Sequence, residues 1–260
     1  MFVRRSAVRG VARGRAVTSW RYFRGIDSSG GQGRSSGQST HPRGFTCRGE
    51  LVGVDSDEVR RQWADRTGEY SPEYYAYYGP DETSAAVRER LVNHVARDAA
   101  VLELGCSSGR HLAHLHEHGF TDLHGIEVND EAFEVMADTY PELAAAGRFH
   151  HGAIESVLPE FERDRFDAVY SVETLLHIHP DNEWVFAELA RVTADCLVTV
   201  ENEGEGDPAD PETDDVNFVH DEFPLYYRDW ERVFTDRGFE QVESTPLKRD
   251  TLRTFRNRDD

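Results

Sequence analysis

Residues 101–115 read V-L-E-L-G-C-S-S-G-R-H-L-A-H-L, and this stretch decides the fold of the chain. The residues Val101–Leu104 are mostly apolar and end at a glycine, as a short buried parallel strand does. Gly105–Gly109 then predicts a tight turn, and a helix is expected to begin at Arg110. Glycine lets the backbone approach a ligand closely, and the helix that follows directs unpaired N–H groups toward it. The stretch therefore predicts a strand, a turn and a helix, with a ligand site at the turn.

A second predicted strand, Leu123–Asn129, contains an acid at Glu127. Glu127 lies 22 residues after Gly105, near the spacing at which an acidic residue binds ribose hydroxyls in a βαβ unit. A carboxylate suits two neighbouring hydroxyls because one planar group accepts both protons. Phe166–Glu173 reads as a further buried strand. These features together favour a nucleotide-binding α/β sheet.

The chain resembles the class I S-adenosylmethionine-dependent methyltransferases in four stretches: E-L-G-C-S-S-G, G-I-E-V-N, H-G-A-I-E and F-D-A-V-Y-S-V-E-T-L-L-H-I. The resemblance extends from about Asp55 to the C-terminus and is strongest between Val101 and Ile178. It implies an α/β fold: a Rossmann-like, doubly wound seven-stranded sheet with an antiparallel C-terminal hairpin and an N-terminal helical cap. It also implies S-adenosylmethionine as cofactor and transfer of its methyl group to an acceptor, which we expect to be a small molecule.

The resemblance also implies a set of cofactor residues. The methionine end of the cofactor maps onto the turn, the ribose onto Glu127, and the adenine onto the H-G-A-I-E stretch. The expected cofactor-binding residues are Glu103, Gly105, Cys106, Ser107, Gly109, Glu127, Val128, Ala153, Ile154, Glu155 and Ser171.

Several positions depart from the family's pattern. Ser107 replaces the middle glycine of E-x-G-x-G-x-G, and a serine is tolerated there if it keeps a negative φ. Ala153 stands where the family often has an acid, so the backbone of Ile154 and the side chain of Glu155 are expected to hold the adenine. A T-A-D sequence replaces the Pro-Gly turn that many relatives have before the fifth strand. These departures leave a non-catalytic nucleotide-binding module as an alternative function.

An NAD-dependent oxidoreductase is a further alternative, since such enzymes bind their cofactor with the same βαβ unit. Two observations count against it. The turn lacks G-x-G-x-x-G, and Lys248, the one lysine of the chain, lies too near the C-terminus for a Tyr-x-x-x-Lys pair.

Four residues are candidates for the acceptor side of the site. His177 aligns with a histidine that is common just after the fourth strand in the family, where a neutral imidazole can take a proton from an acceptor hydroxyl or amine. A purely structural role for His177 is equally compatible with the sequence. Tyr75, Tyr78 and His220 are expected to contact the acceptor, with packing of the cap as the alternative for the tyrosines.

No metal ligand is predicted. A solvated polar face, rather than a metal site, is expected of three histidines that share one helical face: His111, His114 and His118.

The chain divides into three predicted parts by composition. Residues 1–49 hold ten arginines and one acid, and their Gly- and Ser-rich composition predicts a disordered basic tail. A nucleic-acid arm, an organelle transit peptide and a twin-arginine signal are other interpretations of this tail. Residues 50–98 are predicted to form the helical cap, and residues 99–260 the S-adenosylmethionine-binding domain.

The chain has a net charge of −20, and its basic residues are arginines apart from Lys248. This balance is typical of proteins from a salty cytoplasm, and it argues against nucleic-acid binding by the folded part. Three cysteines without a CxxC pair favour a reducing cytoplasm over a disulfide framework. A membrane span is not predicted, because no run of 18 apolar residues occurs. The sequence carries no signal for an oligomeric state.

Periodicity predicts the remaining elements. Helices are expected at 55–66, 82–97, 180–192 and 229–237, a fifth strand at 196–200, and a closing hairpin at 239–246 and 252–256. In the third of these helices, Trp184, Ala187 and Val192 are expected on the buried side. The acidic segment 203–215 is predicted to be a linker or a lid.

Overall fold

The structure, a computed structural model, describes residues 55–204, 216–219 and 223–258. The predicted tail, most of the acidic segment and the candidate His220 lie outside these residues.

The centre of the fold is a seven-stranded sheet with the strand order β3-β2-β1-β4-β5-β9-β8. The first five strands in that order are parallel, whereas β9 is antiparallel to both β5 and β8. The predicted Rossmann-like sheet with its antiparallel C-terminal hairpin is therefore confirmed. The strands of this sheet are β1 (Ala100–Leu104), β2 (Asp122–Glu127), β3 (Arg148–His151), β4 (Phe166–Val172), β5 (Thr193–Glu201), β8 (Phe239–Pro246) and β9 (Thr251–Asn257).

Helices cover both faces of the sheet. Residues of β1 alternate between the two cores, since Val101 packs with Leu91 and Leu112 on one face and Leu102 packs with aromatic side chains on the other. Every residue of β1 is consequently buried, and every one except Glu103 is apolar. The helices are α1 (Ser56–Ala64), α2 (Pro72–Tyr78), α3 (Glu82–His94), α4 (Arg110–Glu117), α5 (Glu131–Thr139), α6 (Pro141–Ala146), α7 (Ile154–Val157), α8 (Val185–Val192) and α9 (Trp230–Thr235). None of the helices within the described ranges combines the length and apolar character needed to span a bilayer.

The three helices before β1 form the predicted cap. Asp55 caps α1, as expected from its acidic first turn. Asp81 and Ser84 form a capping box at the start of α3, which ends at His94, three residues before the predicted end. We refer to α1–α3 as the cap helices.

The prediction for residues 180–192 was wrong in detail. Pro180–Asn182 forms a separate 3₁₀ turn, and α8 begins only after Trp184. Trp184 is 46% exposed and Ala187 is also exposed, because the inward stripe of α8 consists of Val185, Phe186, Leu189 and Val192. Because the 3₁₀ turn precedes α8, the helix starts later than predicted and different residues face inward. Trp184 therefore does not lie on the buried side.

A two-stranded hairpin was not predicted from the sequence. It consists of β6 (Val216–Val219) and β7 (Phe223–Tyr226), which pair in an antiparallel manner outside the main sheet. The proline in β7 and the acidic residues before β6 are typical of a loop rather than a strand. Pro224 is accommodated because a two-stranded sheet consists only of edge strands, and its carbonyl oxygen contacts His177 (3.2 Å to Nδ1).

Gly125 in β2 allows the turn after β1 to pack against the sheet. A Cβ atom at this position would lie 2.5 Å from Sγ and 3.0 Å from Cβ of Cys106. We expect Gly125→Ala to lower the free energy of unfolding by about 1–3 kcal/mol through overpacking, as measured by urea denaturation. The Cys106→Ala change should relieve part of this loss in the double variant; purely additive effects would contradict the proposed clash.

Candidate functional site

A cleft of about 1080 Å³, with its open mouth included, lies at the carboxyl ends of β1, β2 and β4. The strand order reverses beside β1, and open α/β sheets bind their ligands at such a switch point. The cap helices supply the opposite wall through Val59, Arg60 and Trp63 of α1.

The turn after β1 forms the floor of the cleft. Gly105 has φ +65°, and a Cβ atom there would lie 2.5 Å from Oγ1 of Thr174. Only glycine therefore lets this turn approach the segment that follows β4. The condition for a tolerated serine is not met at Ser107, because its φ is +46°. The Ser107 N–H donates a hydrogen bond to Glu127 Oε2 (2.8 Å), which holds the peptide in this orientation.

The Glu127 carboxylate joins two strand ends. Oε2 accepts from the N–H of Ser107, and Oε1 accepts from the N–H groups of Val128 and Asn129, all at 2.8 Å. Burial raises the pKa of Glu127, and these three hydrogen bonds oppose the increase because they favour the charged form. A carboxylate has about four acceptor positions, so one remains for a ligand hydroxyl.

An acid and an arginine line the cleft near the end of β1. Glu103 is buried and accepts a hydrogen bond from the Tyr170 hydroxyl (3.0 Å to Oε2). Burial raises the pKa of Glu103 well above its usual value, and the charge of Arg110 works against this. Arg110, the first residue of α4, also lines the cleft, with its guanidinium 4.9 Å from the ring centroid of Tyr75. Such a pair can bind the ammonium and carboxylate groups of an amino acid.

The H-G-A-I-E stretch closes the cleft beside β3. The Gly152 N–H donates to the Glu127 carbonyl oxygen (2.8 Å), and Ala153 and Ile154 line the cleft. Glu155 also lies in the lining, but its Oε1 accepts from Arg60 (3.3 Å) and from Asn182 (3.1 Å). Glu155 therefore already anchors α1 to this side of the cleft.

His177 lies in the 3₁₀ turn Leu175–His177 after β4 and faces the cap. Its Nδ1 lies 3.2 Å from the Pro224 carbonyl oxygen, which can only accept, so Nδ1 carries the proton and Nε2 is the basic nitrogen. Its ring packs on Trp63, with centroids 4.6 Å apart. Burial lowers the pKa of His177 to about 4, so the imidazole is neutral at physiological pH.

The remaining sequence candidates divide between the cleft and other places. Cys106, Val128 and Tyr75 belong to the lining. The candidates that lie outside the lining are Gly109, which packs against Met136; Ser171, which donates to Glu201; and Tyr78, which is 63% exposed. Tyr78 is exposed because α2 turns only Tyr75 toward Arg110.

The histidines of α4 differ from the expected solvated face in one respect. His111 is buried against Ser84 (2.7 Å to Oγ), and burial lowers its pKa to about 3. The side chains of His114, Glu117 and His118 lie close together at the surface. Two of these side chains have other partners, since His114 accepts from Arg88 (3.2 Å) and His118 bonds to a main-chain carbonyl.

Sequence reasoning missed more than half of the lining, and four of the missed residues matter most for the site. Trp63 carried only a helix-packing signal, Arg110 only a helix-start signal, and Asn129 and Thr174 none, although all four line the cleft. Asn129 donates to the Arg66 carbonyl oxygen (3.3 Å) and so connects the end of β2 to the chain after α1. Contacts between segments so distant in the chain leave no pattern in sequence spacing.

Comparison with known proteins finds a matching domain family and several similar proteins. Residues 101–195 match a family described as a methyltransferase domain. The O-methyltransferase cnsE of Penicillium expansum is 27% identical over 148 residues, which are 54% of this chain and 53% of that protein. The 1,6-didemethyltoxoflavin-N1-methyltransferase of Burkholderia thailandensis has the same fold, with a TM-score of 0.58 at 17% identity over 78% of this chain and 86% of that one. Residues 101–195 are thus similar to a methyltransferase domain, and the fold is one that solved methyltransferases share.

Other similar proteins mark the limits of this comparison. An O-methyltransferase of Pyrenophora dematioidea is 24% identical over 119 residues, 44% of each chain, so this chain spans about half the length of the curated relatives it matches. The [4+2]-cyclase SpnF shares the fold, with a TM-score of 0.56 at 14% identity over 75% of this chain and 86% of that one. The fold alone therefore does not define one reaction.

The residues of the cleft fit S-adenosylmethionine. Glu127 keeps one open acceptor position, which suits one hydroxyl of a ribose, and Glu103 and Arg110 suit the ammonium and carboxylate groups of an amino acid. Gly105 also lines the cleft, and the absence of its Cβ atom makes room for Thr174.

The left-handed conformation of Ser107 can be tested by substitution. Ser107→Gly should raise the free energy of unfolding by up to about 1 kcal/mol, because glycine lacks the Cβ atom that disfavours positive φ. The neighbouring Ser108, which does not have a positive φ, provides the matched control. Ser108→Gly should be destabilising in the same urea titration; equal effects at both positions would contradict this explanation.

Proposed function

We propose that the protein is an O-methyltransferase that transfers the methyl group of S-adenosylmethionine to a hydroxyl on a small, flat, largely apolar acceptor. The match of residues 101–195 to a methyltransferase domain supports methyl transfer, and two curated relatives are named O-methyltransferases. The observation that carries the choice of a hydroxyl is the neutral His177, whose Nδ1–H is held by the Pro224 carbonyl. Its Nε2 is thereby available to accept the proton that a hydroxyl must lose.

The cofactor is proposed to bind along the floor of the cleft. Glu103 and Arg110 would hold the amino-acid end, Glu127 the ribose, and the apolar side chain of Ile154 the adenine. S-adenosylmethionine supplies a methyl group already activated by a sulfonium. The protein then has mainly to align the acceptor and receive a proton, and such alignment can lower the barrier by about 7–11 kcal/mol.

The acceptor is proposed to lie between α1 and the turn that bears His177. This part of the lining presents Trp63, Tyr70, Pro72 and Ile178, which suit a planar apolar group. The arginine nearest to it along α1, Arg60, is paired with Glu155. A neutral acceptor therefore fits this wall better than a highly charged one.

The ribose assignment predicts a binding defect. Glu127→Ala should weaken S-adenosylhomocysteine binding at least about tenfold, because it removes the acceptor for the ribose hydroxyls. Titration calorimetry measures the affinity, and circular dichroism verifies that the fold persists. Glu240→Ala, an exposed acid on β8, is the control. Unchanged affinity in Glu127→Ala would remove this assignment.

The base assignment predicts a catalytic defect. With hydroxylated aromatic compounds as acceptors, His177→Phe should lower kcat about 100-fold, since phenylalanine keeps a ring beside Trp63 but accepts no proton. Trp63→Phe should instead mainly raise KM for the acceptor. Protonation removes the basic form, so kcat/KM should fall as the pH is lowered through about 4, the pKa of His177, and this group should add no pH dependence near neutrality. Normal kcat in His177→Phe would exclude the base.

A non-catalytic nucleotide-binding module is the second candidate. The left-handed Ser107 and the occupied carboxylate of Glu155 favour it, because both depart from the expected cofactor contacts. Binding of S-adenosylhomocysteine without turnover of any acceptor would support this alternative. The cysteine usage of the chain favours a reducing cytoplasm as the place where either function operates.

A further inference from the structure

Glu201, the last residue of β5, is a buried acid to which no cofactor or acceptor contact is assigned above. Its side chain is fully buried, and it is not part of the cleft lining. Isolated buried carboxylates are costly, so such a residue requires several donors. Burial raises the pKa of Glu201 to about 7, which reflects that cost.

The donors come almost entirely from the segment that leads to His177. Oε1 accepts from the Ser171 hydroxyl (2.5 Å) and from the N–H groups of Thr174 (3.3 Å) and Leu175 (3.1 Å). Oε2 accepts from the N–H of Leu176 (3.4 Å). From the neighbouring strand β5, the Glu201 side chain thus accepts hydrogen bonds from the backbone N–H groups of three consecutive residues.

These N–H groups are the ones that the short 3₁₀ turn leaves without internal partners. Leu175–His177 has no side-chain cap of its own, because Thr174 bonds to the Val172 carbonyl oxygen instead. The first N–H groups of any helical turn need external acceptors. Glu201 therefore takes the place of a capping residue, although it is 26 residues beyond Leu175 in the chain.

The other side of the turn is fastened as well. Arg228 donates to the Ile178 carbonyl oxygen (2.7 Å), and His177 donates to the Pro224 carbonyl oxygen. The imidazole thus has its backbone fixed by Glu201 on one side and by the segment from Pro224 to Arg228 on the other. A small displacement of this turn would move Nε2 relative to the cleft.

We infer that Glu201 is a positioning residue for methyl transfer: by capping the turn Leu175–His177 from β5, its carboxylate sets the place of the His177 imidazole. This inference rests on the proposed function of His177. It also explains why Ser171, expected to bind the cofactor, lies outside the cleft: its hydroxyl is committed to Glu201.

The kinetic test compares Glu201→Ala, Glu201→Gln and Thr199→Val. Glu201→Ala should lower kcat about 100-fold, the loss expected from misplacing a group by about 1 Å, while acceptor KM and S-adenosylhomocysteine affinity change less than about threefold. Glu201→Gln should recover part of kcat, because its amide oxygen still accepts from the turn. Thr199→Val changes a buried residue two positions earlier on β5 and should leave kcat unchanged. Equal losses in all three variants, or a loss confined to KM, would overturn the inference.

Two further readouts keep the test decisive if Glu201→Ala folds poorly or if no acceptor is found. Ser171→Ala leaves the acid in place, and it should reduce kcat in the same direction by a smaller factor. Amide hydrogen exchange should show protected N–H groups at Leu175 and Leu176 in the wild type and weaker protection in Glu201→Gln, where one of the two acceptor oxygens is replaced. The ¹⁵N resonances of the His177 imidazole should report the Nδ1–H tautomer in the wild type and a mixture in Glu201→Gln.

These readouts separate the two proposals. A wild type that binds S-adenosylhomocysteine but methylates no hydroxyl overturns the proposed function, and the tautomer measurement still judges the role of Glu201. An active wild type whose exchange and imidazole resonances are the same in Glu201→Gln overturns the positioning role alone.

Discussion

The Glu127 carboxylate accepts hydrogen bonds from three backbone N–H groups, and the rest of the site depends on this constraint. Through Ser107 it fixes the turn after β1, and through Val128 and Asn129 it fixes the chain as it leaves β2. The carbonyl oxygen of Glu127 also accepts from Gly152, so the exit of β3 is tied to the same residue. Three loops that surround one ligand position are therefore held by one side chain, and the geometry of each depends on the others.

The same arrangement recurs on β5, three strands from β2 in the sheet. Glu201 bonds to the turn after β4 much as Glu127 bonds to the turn after β1. Both carboxylates stand at the carboxyl end of a parallel strand, where loops converge and backbone N–H groups lack partners. Burying a carboxylate costs free energy unless it is fully hydrogen-bonded. This cost disfavours arrangements in which the hydrogen bonds are not made, so the observed arrangement is specific.

The cap shows how the opposite wall of the cleft is attached. Arg60 pairs with Glu155, and Asn129 bonds to the main chain at Arg66, so α1 is joined to the loops after β2 and β3. Tyr75 stacks against Arg110 from the next cap helix. A ligand that contacts the loops would therefore also affect the cap, and acceptor and cofactor would be bound by a coupled set of contacts.

The sequence by itself predicted β1, β2, β4, β5 and the closing hairpin, since apolar runs and the glycine turn are local features with strong periodic or steric signals. The seven-stranded arrangement was implied by the family resemblance, and β3 had no predicted range. The sequence also located the turn of Gly105 and the strand-end acid correctly in the cleft. Only the tertiary structure decided the positive φ of Ser107, the outward orientation of Trp184, and the commitment of Ser171 to Glu201. These properties arise from partners far along the chain, and no spacing rule connects residues that meet only after the strands have been ordered in the sheet.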